Sequence, residues 1–334
     1  MEFKKPSEEE WDEIVNASPD SWLNSLSGWM AFFRDCFHYK DVSFGVYDPE
    51  LVCVVPLFVV KNMIFGTRLV SGPVLDNGGF ISAVKLSEEK VGRITEHIVD
   101  VARSEKCCFV EIRNSHQAPI GFEKVSKYVD FKISLSKDDS ALLASFDKKL
   151  RNGIRKAEKL VRVERCSISG GIDDFYRMHL KTMQFLSSPP MPESFYSRMN
   201  GFMLFAVHNG KRIAAVMVNC FRDDAKYEAA VYLPEFREFQ PNSLLVYRAL
   251  SEARKDGMKT FFFGRTLPEG SVYDFKKRWN AVEIPIDYYY KVFKGKIPSD
   301  ARKSALAKFA FVWRLSPVFL TRVFGPYFRR RLAM

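Results

Sequence analysis

The sequence predicts a mixed α/β (α+β) fold built twice in tandem, each half a mostly antiparallel mixed sheet flanked by helices. Three observations predict it. At 334 residues the chain exceeds the roughly 100–200 residues of one ordinary core, so two compact units are expected. Its 47% hydrophobic content, with 30 Phe, is ample for two buried cores and shows no sign of disorder. A helix–turn–strand–arginine unit also occurs twice, because ARSEKCCFVEIR (102–113) lines up with ARKDGMKTFFFGR (253–265) with one residue inserted. Domains at 1–135 and 136–298 follow, with a tail at 299–334.

In the first half, acidic and amphipathic segments near 7–16 and 29–37 read as helices. They precede the apolar stretch Val42–Tyr47, an Asp48-Pro49 turn and the run Leu51–Val60, which reads as one long strand of a meander. In FGTRLVSGPVLDNGG (65–79), Gly72-Pro73 and Asn77-Gly78-Gly79 supply positive-φ positions and close backbone approach. Leu86–Arg103 then reads as a helix and Cys107–Arg113 as a buried strand.

The second half opens on a helix with Phe146, Leu150, Ile154, Ala157 and Val161 at helical spacing. Its remaining surface carries Lys148, Lys149, Arg151, Arg155, Lys156, Lys159 and Arg162, either a solvated face or a site for phosphates. Strands at Phe202–Val207 and Arg212–Phe221 flank Asn209-Gly210, a type I′ hairpin signal. A strand at Lys226–Tyr232 and a helix from about Asn242 to Lys255 complete the order of a GNAT domain: antiparallel meander, helix, further strand. Acetyl-CoA enzymes of that fold cradle the pyrophosphate with a glycine-rich turn opening the helix. Here the turn is Arg237–Ser243, without glycine and with the donor-less Pro241, so a standard CoA site is disfavoured.

Two segments of the second half carry a more specific pattern. One is NGIRKAEK (152–159); the other is Phe263-Gly264-Arg265-Thr266 followed by GSVYDFKKRW (270–279). Together they resemble the FemABX family, in particular its shorter members, whose second domain shows R-N-x-I-R-K-A-E-K, then F-G-R-S/T, then G-x-Y-x-F-K-K-x-W-G. The first half agrees more loosely through Phe65, Gly66, Leu69, Val70, Ser71, Pro73, Gly78 and Gly79, so the resemblance spans about 30–293. It implies a tandem GNAT fold and transfer of an acyl group, in that family an aminoacyl group from aminoacyl-tRNA, to an amine of a peptidoglycan precursor. The sequence departs at Asn280 (Gly in the family), Thr266 (Ser) and Leu160 (Gly). It also lacks a charged heptad segment, hence the coiled-coil arm of the longer members, which weakens the case for tRNA as donor.

Aminolysis of an ester or thioester passes through a tetrahedral oxyanion, and a fixed cation aimed at it stabilises the transition state. Lys276 is the candidate for that role, chosen over Lys277 because the resemblance implicates the F-K pair. Phe275 would wall the site or stack on a base; the alternative is an amphipathic helix with Tyr273 and Phe275 in the core and its lysines solvated. Arg265, at a strand end, would hold a phosphate or pair with Glu228 or Asp274. Glu228, within the apolar strand KYEAAVY, is the candidate base, its pKa raised by burial, or a structural partner of Arg265. Arg151, Asn152, Arg155, Lys156, Tyr273 and Trp279 complete the expected substrate contacts.

The six cysteines show no CxxC pair and read as reduced core residues. No HExxH or P-loop occurs, so neither a metal nor nucleotide hydrolysis is expected, and DNA is not expected as a partner. Most of the net charge of +11 lies after Asp300, where Arg302, Lys303, Lys308, Arg314, Arg322, Arg329, Arg330 and Arg331 stand with no acid. Interleaved with Trp313 and several Phe, they suit an anionic bilayer surface, with Trp313, Arg314, Arg329, Arg330 and Arg331 as contacts, or else a docking helix. MEFKKPSEEEWDEIV lacks a signal-peptide core and no 18-residue apolar run occurs, so a cytoplasmic protein peripheral to the inner face of the membrane is expected. No tightly bound cofactor is expected. The donor co-substrate would be aminoacyl-tRNA, or else acyl-CoA or an acyl carrier protein, and the acceptor a lipid-linked or nucleotide-linked amine. A non-catalytic module binding anionic lipid or RNA is the reading from another class.

Overall fold

The computed structural model describes residues 1–19, 21–62, 66–297, 313–314 and 316–332. Two compact units emerge: Met1–Tyr128 with Ile286–Ala301 and Arg330–Met334, and Val129–Pro285 with Arg302–Arg329. The sequence places the first boundary at 135, a few residues late. The division runs within two strands, Glu123–Ser134 and Val282–Val292, so no glycine- or proline-rich linker marks it. Much of the expected tail, residues 299–312, lies outside the described residues, as does Phe65.

Unit 1 begins with β1 (Glu2–Lys4), α1 (Glu8–Ala17) and α2 (Ser27–Phe37). Ser7 and Glu10 form a reciprocal capping box that starts α1. β2 (Lys40–Asp41), β3 (Phe44–Tyr47), β4 (Leu51–Val55), β5 (Phe58–Asn62) and β6 (Gly66–Val70) follow. The run read as one strand is thus two, because Pro56 cannot donate to a ladder. α3 (Glu88–Ser104) crosses from β6 to β7 (Phe109–Arg113), which pairs parallel to β6. On its other edge β7 pairs antiparallel with residues 288–292 of the last strand. Leu69, Ile94, Ile98, Val110 and Ile112 form the centre of this core. Beneath the glycine-rich turn, buried Arg113 pairs with Glu111 at 2.6 Å and donates to the Leu75 carbonyl at 2.8 Å.

Unit 2 contains the end of β8 (Glu123–Ser134), α4 (Asp139–Ser145), α5 (Lys148–Glu158), β9 (Arg162–Ser167), α6 (Ile168–Phe185) and α7 (Glu193–Ser197). β10 (Gly201–His208) and β11 (Lys211–Phe221) form the expected hairpin, with φ of 48° at Asn209 and 74° at Gly210. Then come β12 (Asp224–Tyr232), a 3₁₀ turn at Pro234–Phe239, α8 (Pro241–Lys255), β13 (Thr260–Phe262), α9 (Ser271–Lys277), the start of β14 (Val282–Val292), which passes to unit 1 at Ile286, and α10 (Val318–Leu332), which does so at Arg330. The strands lie in the order β9-β10-β11-β12-β13-β8, antiparallel except for β12 and β13. The duplicated sequence unit is therefore a duplicated crossover, β6–α3–β7 in one unit and β12–α8–β13 in the other. Leu150, Ile154 and Ala157 bury the apolar stripe of α5 in the unit 2 core, where the helix packs on α8.

Candidate active site

β12 and β13 run parallel but pair only at Asp224–Lys226 with Thr260–Phe262. Beyond that point β12 stays on β11 as far as Tyr232. The other chain stays on β8, with Phe263 N–H on the Phe131 carbonyl at 2.9 Å and Thr266 N–H on Val129 at 2.8 Å. Backbone pairing between the two central strands therefore ends halfway along. Glu228 stands at the same level: the register slips between Met217 and Val218, which face Ala229 and Tyr227, so Glu228 is the extra residue of a β-bulge.

Lys276 approaches this place from α9. Its side chain is 4% exposed, and its Nζ donates to the Gly264 carbonyl at 2.5 Å. A buried ammonium needs such an acceptor, and Gly264, at φ 76°, adopts a backbone conformation that glycine reaches without strain. Half-buried Arg265 follows directly. Phe275 is half-buried, edge-on to Trp279 at 5.7 Å. Trp279 itself is fully buried among Phe146, Phe263 and Phe275 and packs the core rather than offering a surface to substrate. Tyr273 lies over Phe131 and donates to Glu283 at 2.7 Å, a bond that raises its phenol pKa.

α5 is tied to α9, since Asp147 caps α5 through Lys149 N–H at 2.8 Å while its own N–H donates to the Arg278 carbonyl at 3.1 Å. Arg151 turns back onto the Ala144 and Phe146 carbonyls at 2.8 and 2.7 Å, where it closes the C-terminus of α4. Asn152, Arg155 and Lys156 are exposed on the outer face. Lys156 donates to the Glu238 carbonyl at 3.3 Å, and a Cβ on Gly153 would meet Gln240 Oε1 at 2.3 Å, so α5 lies against the turn that opens α8. Gln240 holds the left-handed conformation there (φ 53°) before Pro241 starts the helix.

Sequence reading missed the surroundings of Glu228. Buried Tyr196 has its pKa raised by burial first, with Glu228 adding and Arg329 opposing, so both charges act on one phenol. Tyr196 contacts His179 at 3.4 Å, and burial, reinforced by Arg329, pushes that imidazole down to about 3. No sequence spacing announces this cluster, which draws on α6, α7, β12 and α10. It also corrects the tail: Arg329 acts on the unit 2 interior, and Trp313 is 7% exposed against Phe328, so neither faces outward. Arg314 is exposed and Arg330 partly so, while the side chain of Arg331 lies outside the described residues.

Residues 144–277 match the family model described as an acetyltransferase (GNAT) domain. This segment is a GNAT acyltransferase domain. Among curated proteins no sequence matches the chain. Solved structures share its fold: "Crystal structure of FemX" aligns at TM-score 0.67 and 16% identity, covering 86% of this chain and 97% of the other. The C-terminal domain of a putative lysylphosphatidylglycerol synthetase from Agrobacterium fabrum aligns at 0.58 and 12% identity, covering 91% and 94%. A tandem GNAT protein from the clavulanic acid biosynthesis pathway aligns at 0.55 and 10%, covering 89% and 99%. In fold the chain is thus FemABX-like and similar to a tandem GNAT protein, as its sequence predicts.

Among the described residues no group of His, Cys, Asp and Glu is arranged to hold a metal, and no helix is long and apolar enough to cross a membrane. The six cysteines form no disulfide with one another, and burial pushes the Cys53 thiol up to about 12.

Proposed function

We propose that the chain is an N-acyltransferase of FemABX type that moves an aminoacyl or acyl group onto an amine of a cell-wall, polysaccharide or lipid-linked precursor. The observation that carries this reading is the buried Lys276 amine, held at the end of β13 where β12 and β13 cease to pair. An acyl ester or thioester lying along that opening would present its carbonyl to the ammonium. The acceptor nitrogen attacks the carbonyl carbon, a C–N bond forms, and the oxygen becomes an oxyanion to which Lys276 donates. Collapse expels the ribose oxygen of a tRNA terminus or the thiol of CoA or a carrier protein, and the leaving group takes the proton shed by the nitrogen. Glu228, at the bulge beside this opening, would carry that proton. Arg155 and Lys156, against the start of α8, and Arg265 would bind donor or acceptor phosphates.

The GNAT match favours an acyl thioester as the second donor reading. The Gln240-Pro241 turn, with no glycine, speaks for a donor other than one held by a standard pyrophosphate cradle. The lysylphosphatidylglycerol synthetase likeness favours a lipid acceptor. The test is mass spectrometry of a lipid-linked or nucleotide-linked amine incubated with the protein and aminoacyl-tRNA or acyl-CoA, alongside Lys276→Met. An acyl mass gain with wild type and not with the variant supports the reading, and free thiol release identifies CoA. Full transfer by Lys276→Met would overturn it.

A further inference from the structure

Helix α10 is amphipathic the wrong way round for a helix on a soluble surface. Such a helix normally buries its apolar stripe and turns charge to water. Here the docked face carries small and polar residues at its centre, beside Phe328 on buried Trp313: Thr321 and Gly325 are buried, and a Cβ on Gly325 would clash with the Pro190 ring. Arg329, on the same face, acts on His179 and Tyr196. Arg322 is bound to Glu193 at 3.0 Å. The opposite face carries Phe319, Val323 and Tyr327 at steps of four, with Phe324 beside them, and they are 67%, 66%, 38% and 50% exposed.

The patch continues past the helix. Gln184 donates to the Ser316 carbonyl at 2.5 Å, which sets the end of α6 beside the start of α10, and the next two residues, Phe185 and Leu186, are exposed as well. A contiguous patch of this kind, with aromatic members, marks a binding surface. Its charge selects the partner: Arg314, just ahead of the helix, is exposed, and no Asp or Glu occurs after Asp300.

We infer that the outward face of α10, with Phe185 and Leu186, seats on an anionic bilayer, Phe319, Val323, Phe324 and Tyr327 entering the headgroup–acyl boundary while Arg314 meets lipid phosphates. This surface is separate from the acyl-transfer chemistry. It would hold the molecule at the plane in which a lipid-linked amine resides. The residues doing so are not the Trp313 and Arg329 that composition suggests, because those two face inward.

The full chain is co-sedimented with vesicles of phosphatidylcholine alone and of phosphatidylcholine with phosphatidylglycerol, at low and high salt. The wild type should pellet with the anionic vesicles and less with neutral ones. Phe319→Ser/Val323→Ser/Tyr327→Ser should bind at least about tenfold more weakly, since three partly exposed apolar side chains no longer leave water. Wild type staying in solution, or the triple variant pelleting equally, overturns the inference. So does a wild-type dimer in sedimentation velocity that the triple variant converts to monomer, which would assign the patch to a second copy. If the triple variant loses its folded circular dichroism, Val323→Asp alone, at a side chain two-thirds exposed, makes the same test. Acyl transfer to a water-soluble amine, read in parallel, tests the proposed chemistry and is expected to be unchanged in these variants.

Discussion

Replacing Lys276 by Met separates a catalytic lysine from a structural one. Met retains most of the methylene volume of a side chain that is 4% exposed and removes the Nζ held 2.5 Å from the Gly264 carbonyl. Losing one preorganised donor to an oxyanion costs about 2.7–4 kcal/mol, or roughly 10²–10³-fold in kcat. The variant also leaves the Gly264 carbonyl without this donor, a penalty of about 1–3 kcal/mol, so it should still unfold in one cooperative transition while turnover collapses. The assay pairs kcat on a soluble amine acceptor with equilibrium unfolding. Turnover within about threefold of wild type, together with a clear fall in midpoint, would refute the reasoning and make Lys276 a fold-holding residue.

Arg155→Gln/Lys156→Gln should raise the donor KM about tenfold and leave kcat within about threefold, with a weaker salt dependence if the donor is polyanionic. An unchanged KM removes that helix face from the site. Gly325→Ala should lower the melting temperature, by about 1–3 kcal/mol of overpacking, because its Cβ would lie 2.4 Å from the rigid Pro190 ring. His179 is held neutral with its pKa at about 3, below the unfolded value near 6.5. The unfolded chain therefore takes up the proton first as pH falls, and stability is lost from about pH 6.5 down towards 3. Between pH 7 and 5 the wild type should lose about 2 kcal/mol more than His179→Gln, measured by urea unfolding; parallel losses in both would show that His179 does not titrate in this window.

The parts legible in the sequence are those that depend on neighbours along the chain. The repeat at 102–113 and 253–265 appears as two parallel crossovers because apolar period and turn residues act locally. Asn209-Gly210 is a hairpin for the same reason, and the stripe Leu150, Ile154, Ala157 is buried because the helical period alone puts those residues on one face. The F-K pair before Trp279 pointed to α9, but not to the Gly264 carbonyl that holds the amine, since that contact joins residues twelve apart through a left-handed glycine.

Tertiary structure decided what spacing cannot encode. The bulge that sets Glu228 out of register depends on how β11 and β12 align, and its neighbours Tyr196 and Arg329 come from distant segments brought together by core packing. Arg151 turns to the end of α4 and Trp279 to the core because helix-end carbonyls and apolar volume claim them. Composition alone made the tail cationic and aromatic; which of its side chains meet water follows from the face of α10 on which Gly325 permits close approach to Pro190. A side chain's period is a property of its own helix, whereas the face that turns inward is chosen by the surface against which the helix lies.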